Sequence, residues 1–116
     1  MKEYKSQTEF VAQIKDNVFR SEESIDITSF NLDIGAGIEV AGNIKAGNIK
    51  AGDIRAGDIH AGDINAGNIN AWDINAWDIN YYAVAFAYKN IKCKKIQGRR
   101  ENSKHFVLDG KIQIIE

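Results

Sequence analysis

Isoleucine returns at every fifth residue through the centre of this chain. From Ala41 to Asn80 the sequence reads AGNIK AGNIK AGDIR AGDIH AGDIN AGNIN AWDIN AWDIN, with Ile at 44, 49, 54, 59, 64, 69, 74 and 79. A period of five matches neither a helix nor a long flat strand. On a helix these side chains would spread around the whole surface. On one continuous strand, alternate Ile residues would face opposite sides. A short strand followed by a corner, repeated, satisfies the pattern. In Ile44-Lys45-Ala46, Ile and Ala point inward and Lys45 points outward. Gly47 and Asn48 then turn the chain, as Gly and Asn favour turns. Trp72 and Trp77 take the Gly position in the last two repeats, so a positive φ is not compulsory there and the position must face outward.

The frame continues on both sides. Ile27-Thr-Ser29-Phe-Asn31 has the same grammar, and Ile34 lies two repeats before Ile44. The run YYAVAFAYKN shifts the phase by two, after which Ile91-Lys-Cys93 and Ile96-Gln-Gly98 restore it. These observations predict a mainly β solenoid over residues 25–100, with an N-terminal cap over 1–24 and a C-terminal cap over 101–116, all in one folded unit. The pattern resembles the pentapeptide-repeat family, whose unit is a small residue, Asn or Asp, a large apolar residue and two variable ones. The resemblance implies a right-handed, four-sided parallel β-helix. The order differs in one respect: the family's small inward residue precedes the large one by two, whereas here Ala follows Ile by two. Four repeats per coil would set each of Lys45, Lys50, Arg55 and His60 beside an Asn; three would set Lys45 beside His60. Stacked basic residues are disfavoured, so four sides are expected.

The flanks read as caps. Ser6-Gln-Thr-Glu9 fits a helix capping box. Phe10, Val11, Ile14 and Val18 form an apolar stripe at helical spacing, predicting an amphipathic helix over 7–20. Phe106-Val-Leu-Asp-Gly-Lys-Ile-Gln-Ile reads as a β-hairpin turning at Asp109-Gly110. Its Ile112, Ile114 and Ile115 are available to cover the last coil or to make a dimer contact.

Composition narrows the function classes. The net charge of −1 excludes both a wholly acidic mimic and a wholly basic nucleic-acid binder. The charge is graded, however. Residues 1–40 hold four Lys/Arg against eight Asp/Glu, 41–80 hold three against five, and 81–116 hold eight against three. In a rod this becomes an axial gradient. A single cysteine excludes an intrachain disulfide and a Cys-based metal site. The longest apolar run, Tyr81–Tyr88, is too short to span a bilayer, and Met1–Lys5 lacks the apolar core of a signal peptide. A cytoplasmic protein with no membrane contact is expected.

No catalytic constellation is present, so the chain is read as non-enzymatic, with no cofactor, metal or small-molecule substrate expected. Cys93 falls on the small inward position and reads as filler of the wall rather than as a nucleophile near His105. His60 and His105 lack metal-ligand spacing and read as solvated surface residues. The Asn/Asp corner column reads as side chains bonding their own turns. Its period is wrong for calcium-binding nonapeptide solenoids, and basic residues interrupt it too often for a DNA mimic. Trp72, Trp77 and Tyr82 occupy three successive corners and form a candidate interface, unless residues 101–116 fold over them. Lys94, Lys95, Arg99 and Arg100 sit on two successive corners. With Lys89, Lys92 and the nearby Tyr81, Tyr82 and Tyr88, they are either a solvated face or a phosphate-binding patch with stacking platforms. The reading is an interaction solenoid that binds a protein partner or itself. The resemblance adds a sharper form, a phage or mobile-element inhibitor of a host nucleic-acid enzyme. The alternative is nucleic-acid binding through residues 89–100.

Overall fold

In the computed structural model, which describes residues 2–114, Ile44 pairs in register with Ile59, and Ile59 with Ile74. Ile49, Ile64 and Ile79 form a second such column, and Ile54 and Ile69 a third. Each partner lies fifteen residues on, so one turn of the coil holds three repeats. Met1, Ile115 and Glu116 lie outside the described residues, and with them the part of the expected C-terminal contact assigned to Ile115.

The result is a mainly β solenoid of about six turns with parallel stacked strands. The first face carries seven strands, from Lys2–Glu3 through Ile25–Ile27, Ile44–Ala46, Asp58–His60, Asp73–Asn75 and Ile91–Cys93 to Ile112–Ile114. The second and third faces are joined where Asp63–Ala71 and Asp78–Ala87 pass around a corner without a break. Within each repeat the Ile is buried, the following residue faces outward, and the Ala is buried or nearly so. Each buried Ile contributes about 1.5–3 kcal/mol. The long dimension is only 34 Å, so the solenoid is a squat prism.

The four-repeat coil is therefore corrected to three repeats. Lys45 does lie beside His60. Both are exposed, and repulsion between solvated charges is small beside what stacking the backbone gains. In this chain the small inward residue follows Ile, so an Ile–outward–Ala side and a two-residue corner complete each repeat.

The corners show what Gly and Asx are for. The backbone N–H of Asp58 donates to Asn43 Oδ1 (2.9 Å), that of Asp63 to Asn48 Oδ1 (3.1 Å) and that of Asn68 to Asp53 Oδ1 (3.0 Å). Val84, Asn90 and Lys111 donate likewise to Asn68, Asp73 and Asn90. The corner side chains thus bond the next turn, not their own. The glycines have no positive φ. Their role is space: a Cβ on Gly57 would lie 2.8 Å from Asn43 Oδ1, and one on Gly62 2.9 Å from Asn48 Oδ1. Glycine leaves room for the Asx side chain of the turn below.

Both predicted caps are revised. The helix spans only Gln7–Val11, with Ser6 Oγ accepting from Glu9 N–H (3.2 Å). Asp16 and Asn17 then adopt φ of 53° and 63°, turning the chain so that Ile14–Lys15 pairs antiparallel with Val18–Ser21. Asn and Asp tolerate that conformation well, so a hairpin displaces the second half of the helical stripe. Tyr4, Phe10 and Phe19 are buried together, the Phe rings stacked at 3.9 Å. The Gln7 side chain accepts from Asp33 N–H (2.7 Å), meeting the edge of the second face.

At the other end there is no hairpin. Lys104–Val107 runs parallel to Val84–Ala87, and Ile112–Ile114 runs parallel to Ile91–Cys93, on different faces. Asp109-Gly110 makes a further corner of the coil. A Cβ on Gly110 would overlap the Lys89 carbonyl oxygen, which explains the glycine. Stacked strands therefore extend beyond residues 25–100 at both ends.

The corner arrangement generates a double-mutant test. Asn48→Ala is expected to cost about 1 kcal/mol by leaving a backbone N–H without its partner. Gly62→Ala should cost a similar amount by displacing Asn48. The double variant should be less than additive, because both changes break one bond. Gly35→Ala, where no atom lies within 4 Å of an added Cβ, should be neutral. Urea titrations of the five proteins measure this.

Candidate functional site

The fifteen-residue turn decides which residues meet. Trp72 N–H donates to the Gly57 carbonyl (2.8 Å) and Trp77 N–H to that of Gly62 (2.8 Å), which places the two indoles on consecutive corners. Tyr82 lies at the third corner, where the register slips between Ala66 and Asn68. The three aromatics therefore occupy all three corners of one turn. They are 50, 60 and 54 % exposed. The C-terminal residues, instead of folding over them, stack as further strands on the axis.

The next turn carries the basic residues, and its corners lie on the same edges. Lys89 N–H donates to the Trp72 carbonyl (2.9 Å), and Lys94 and Lys95 both donate to that of Trp77 (2.7 and 3.1 Å). Arg100 N–H donates to the Tyr82 carbonyl (3.0 Å). Each aromatic corner thus has a basic residue one turn above it. Lys94 Nζ lies 5.9 Å from the centre of the Trp77 ring, within cation–π range. Lys94, Lys95, Arg99 and Arg100 are all exposed. Arg99 is also tied down, its guanidinium donating to the Ala66 carbonyl (2.9 Å).

The two-residue phase shift has a structural counterpart. Ala66 pairs with Tyr81, Asn68 with Val84 and Ile74 with Ile91, so the aromatic segment gains one residue at each of two corners. These widened corners hold Tyr82 and Tyr88. Tyr88 stacks on Trp72 at 4.4 Å and 16°.

The regular corners with Trp carry a local penalty. Asp58 and Asp63 lie directly below Asp73 and Asp78. Neither accepts from the backbone above, among the described residues, because the indole-bearing Cβ stands where glycine left space. The widened corners at Val84 and Asn90 keep their bonds.

Four other residues singled out in the sequence lie elsewhere. Tyr81, expected among the stacking platforms, is only 1 % exposed and points inward at an Ala position. Its hydroxyl meets His105 Nδ1 at 2.6 Å, so His105 is hydrogen-bonded rather than merely solvated. Burial raises the Tyr81 phenol, and a hydrogen bond with Ser103 opposes that. This Tyr81–His105 contact was not legible in the sequence, because the pair depends on the widened corner. Cys93 is buried in the wall opposite Ile114, and burial followed by Asp78 pushes its thiol up. His60 faces outward between Lys45 and Asn75.

No group of three or more potential metal ligands is found among the described residues. No helix among them is long and apolar enough to cross a membrane. Comparison with protein-family models, curated proteins and solved structures finds no match to this chain.

Burial fixes the expected behaviour of Cys93. Native protein should react with a thiol-specific disulfide reagent much more slowly than urea-unfolded protein. Cys93→Ala should fold and leave every binding property unchanged.

Proposed function

We propose that this chain is a non-enzymatic interaction solenoid that binds a protein partner, a second copy included, through the aromatic turn formed by Trp72, Trp77 and Tyr82. We take its hand to be right-handed, as parallel crossovers generally are. One observation carries the reading. The two tryptophans stand where glycine serves the coil better, and they remain half-exposed. Large aromatics kept at an exposed position against the local folding preference are typical of binding hot spots.

The reading separates stability from binding. Replacing Trp72 or Trp77 by Gly restores room for Asp58 or Asp63 to reach the next turn, a gain of about 1 kcal/mol. It also removes ring contacts and adds chain entropy of similar size. Stability is therefore expected to stay within about 1 kcal/mol of the parent, while self-association or partner capture is lost. Light scattering after size exclusion and thermal melts of W72G and W77G measure both. A large loss of stability with binding intact would assign the indoles to the fold instead.

The register favours a second reading, nucleic-acid binding through residues 89–100. Each aromatic corner is topped by Lys or Arg, so rings for stacking and charges for phosphate alternate at every edge. This reading predicts binding of a single-stranded oligonucleotide that weakens steeply with salt. The K94A/K95A/R100A variant should then lose both the affinity and most of the salt slope. Absence of any shift at low salt would remove it.

A further inference from the structure

Between the third face and the corner that carries Trp72 runs an open groove of about 940 Å3. Its floor is made of small residues, among them Ala56 and Gly57. Along one wall the outward residues of successive strands are Arg20, Glu39, Arg55 and Asn70, each in register with the next. The groove ends at Trp72 and Tyr88.

Tyr88 belongs to the turn above Trp72, since its N–H donates to the Ala71 carbonyl (3.0 Å), and it stacks on the indole from that side. Gly57, which has no side chain, lies one turn below Trp72 and lines the groove with it. One aromatic face is therefore held by Tyr88, and with half of the residue exposed and only glycine one turn below, the opposite face is left open. Such a face suits a ring that presents an apolar side, an aromatic ring or the C–H face of a sugar.

The charges say which kind of ring. Two arginines and two glutamates line the groove, the second glutamate being Glu22, so its formal charge balances. On the wall the signs alternate, with Glu39 paired between Arg20 and Arg55. An anion meeting the arginines would also meet the glutamates. An uncharged ligand rich in hydroxyls would be served by all of them. Arg and Glu are planar groups that donate and accept in pairs, and Asn70 does both. The wall also repeats every ~4.8 Å, the spacing between stacked strands, a rise close to the length of one sugar in an extended chain.

We infer that this groove is a binding site for an uncharged, extended oligosaccharide, with one sugar ring stacked on the free face of Trp72 and its neighbours hydrogen-bonded along Arg55 and Glu39. The site goes beyond the aromatic-turn reading and uses only one of its three corners.

Trp77→Phe leaves Trp72 as the sole tryptophan and makes its emission a local reporter. In that protein, titration with cellohexaose, mannohexaose and chitohexaose is expected to shift or quench the emission for at least one of them. The effect should be insensitive to salt. R55A and E39A, both changes of exposed residues, should each weaken that binding by about tenfold without altering the melting temperature. No response to any of the three sugars at millimolar concentration would overturn the proposal. So would binding that R55A and E39A leave unchanged, or a salt-sensitive response to ATP in place of the sugars. W77G tests the protein-binding reading without touching the groove, so the two can fail separately.

Discussion

A corner side chain that accepts from the backbone one turn on ties two turns together where no strand is available to pair. The strands are two or three residues long over much of the coil, too short to hold a register by themselves. The Asn or Asp oxygen supplies a bond where the next regular corner carries glycine, because that glycine leaves the space. Asx and Gly are therefore one device spread over two turns. The device also fixes the turn length. An oxygen on Asn43 must find an N–H one residue beyond a glycine directly above it, and Asp58 after Gly57 provides this.

That turn length determines the surface. The basic residues follow the aromatic residues by seventeen or eighteen positions, and nothing in the linear sequence puts them together. A turn of fifteen widened by two at the aromatic segment brings each Lys or Arg corner over an aromatic one. The longer first turn stacks Asp26 against Lys45 on the first face. There the Thr28 hydroxyl and N–H bond the Asp26 carboxyl and hold its pKa down, with Lys45 a smaller contributor. In the middle of the coil, the stacked pairs Asp58–Asp73 and Asp63–Asp78 bring like charges together beneath the basic turn, where Lys95 lies over Asp78.

The existence of the coil was legible from the spacing of Ile alone, as was the inward Ile and Ala and the outward third residue. The number of repeats per turn was not, because a five-residue period divides a turn of three repeats and a turn of four equally well. Backbone bonding at the corners outweighs the small cost of setting two exposed basic side chains, Lys45 and His60, side by side. In the first full turn Ile25, Leu32 and Ile38 continue the three columns at spacings of seven and six. Ile34, on the five-residue frame of Ile44, and Ile27, which opens a segment of similar grammar, fall on the small positions instead, Ile27 beside Ala46. Residues 7–20 do carry a helical stripe, but Asp16-Asn17 is hairpin chemistry, and pairing with a sheet edge outweighs a marginal helix. Asp109-Gly110 is hairpin chemistry too, yet there the strand from the previous turn offers a parallel partner for each flanking segment.

The aromatic turn is the place where local and global preferences disagree. At the glycine corners above Asn43, Asn48 and Asp53, sequence choice agrees with the bond the corner must make. At Trp72 and Trp77 the chain gives up that bond and leaves an acid beneath another acid. It also leaves each tryptophan about half exposed to water. Such inconsistencies are expected where a residue is kept for what it contacts outside the fold. Tyr88 strengthens the case at Trp72, because a stacked neighbour fixes the indole's orientation before anything binds. A ring already immobilised loses little freedom on binding, so more of its contact free energy remains as affinity. Trp77 has Lys94 in the same role, and Tyr82 has no stacked partner of its own among the described residues. The three corners are thus unequal, and the edge carrying Trp72 is the most prepared of them to receive a ligand.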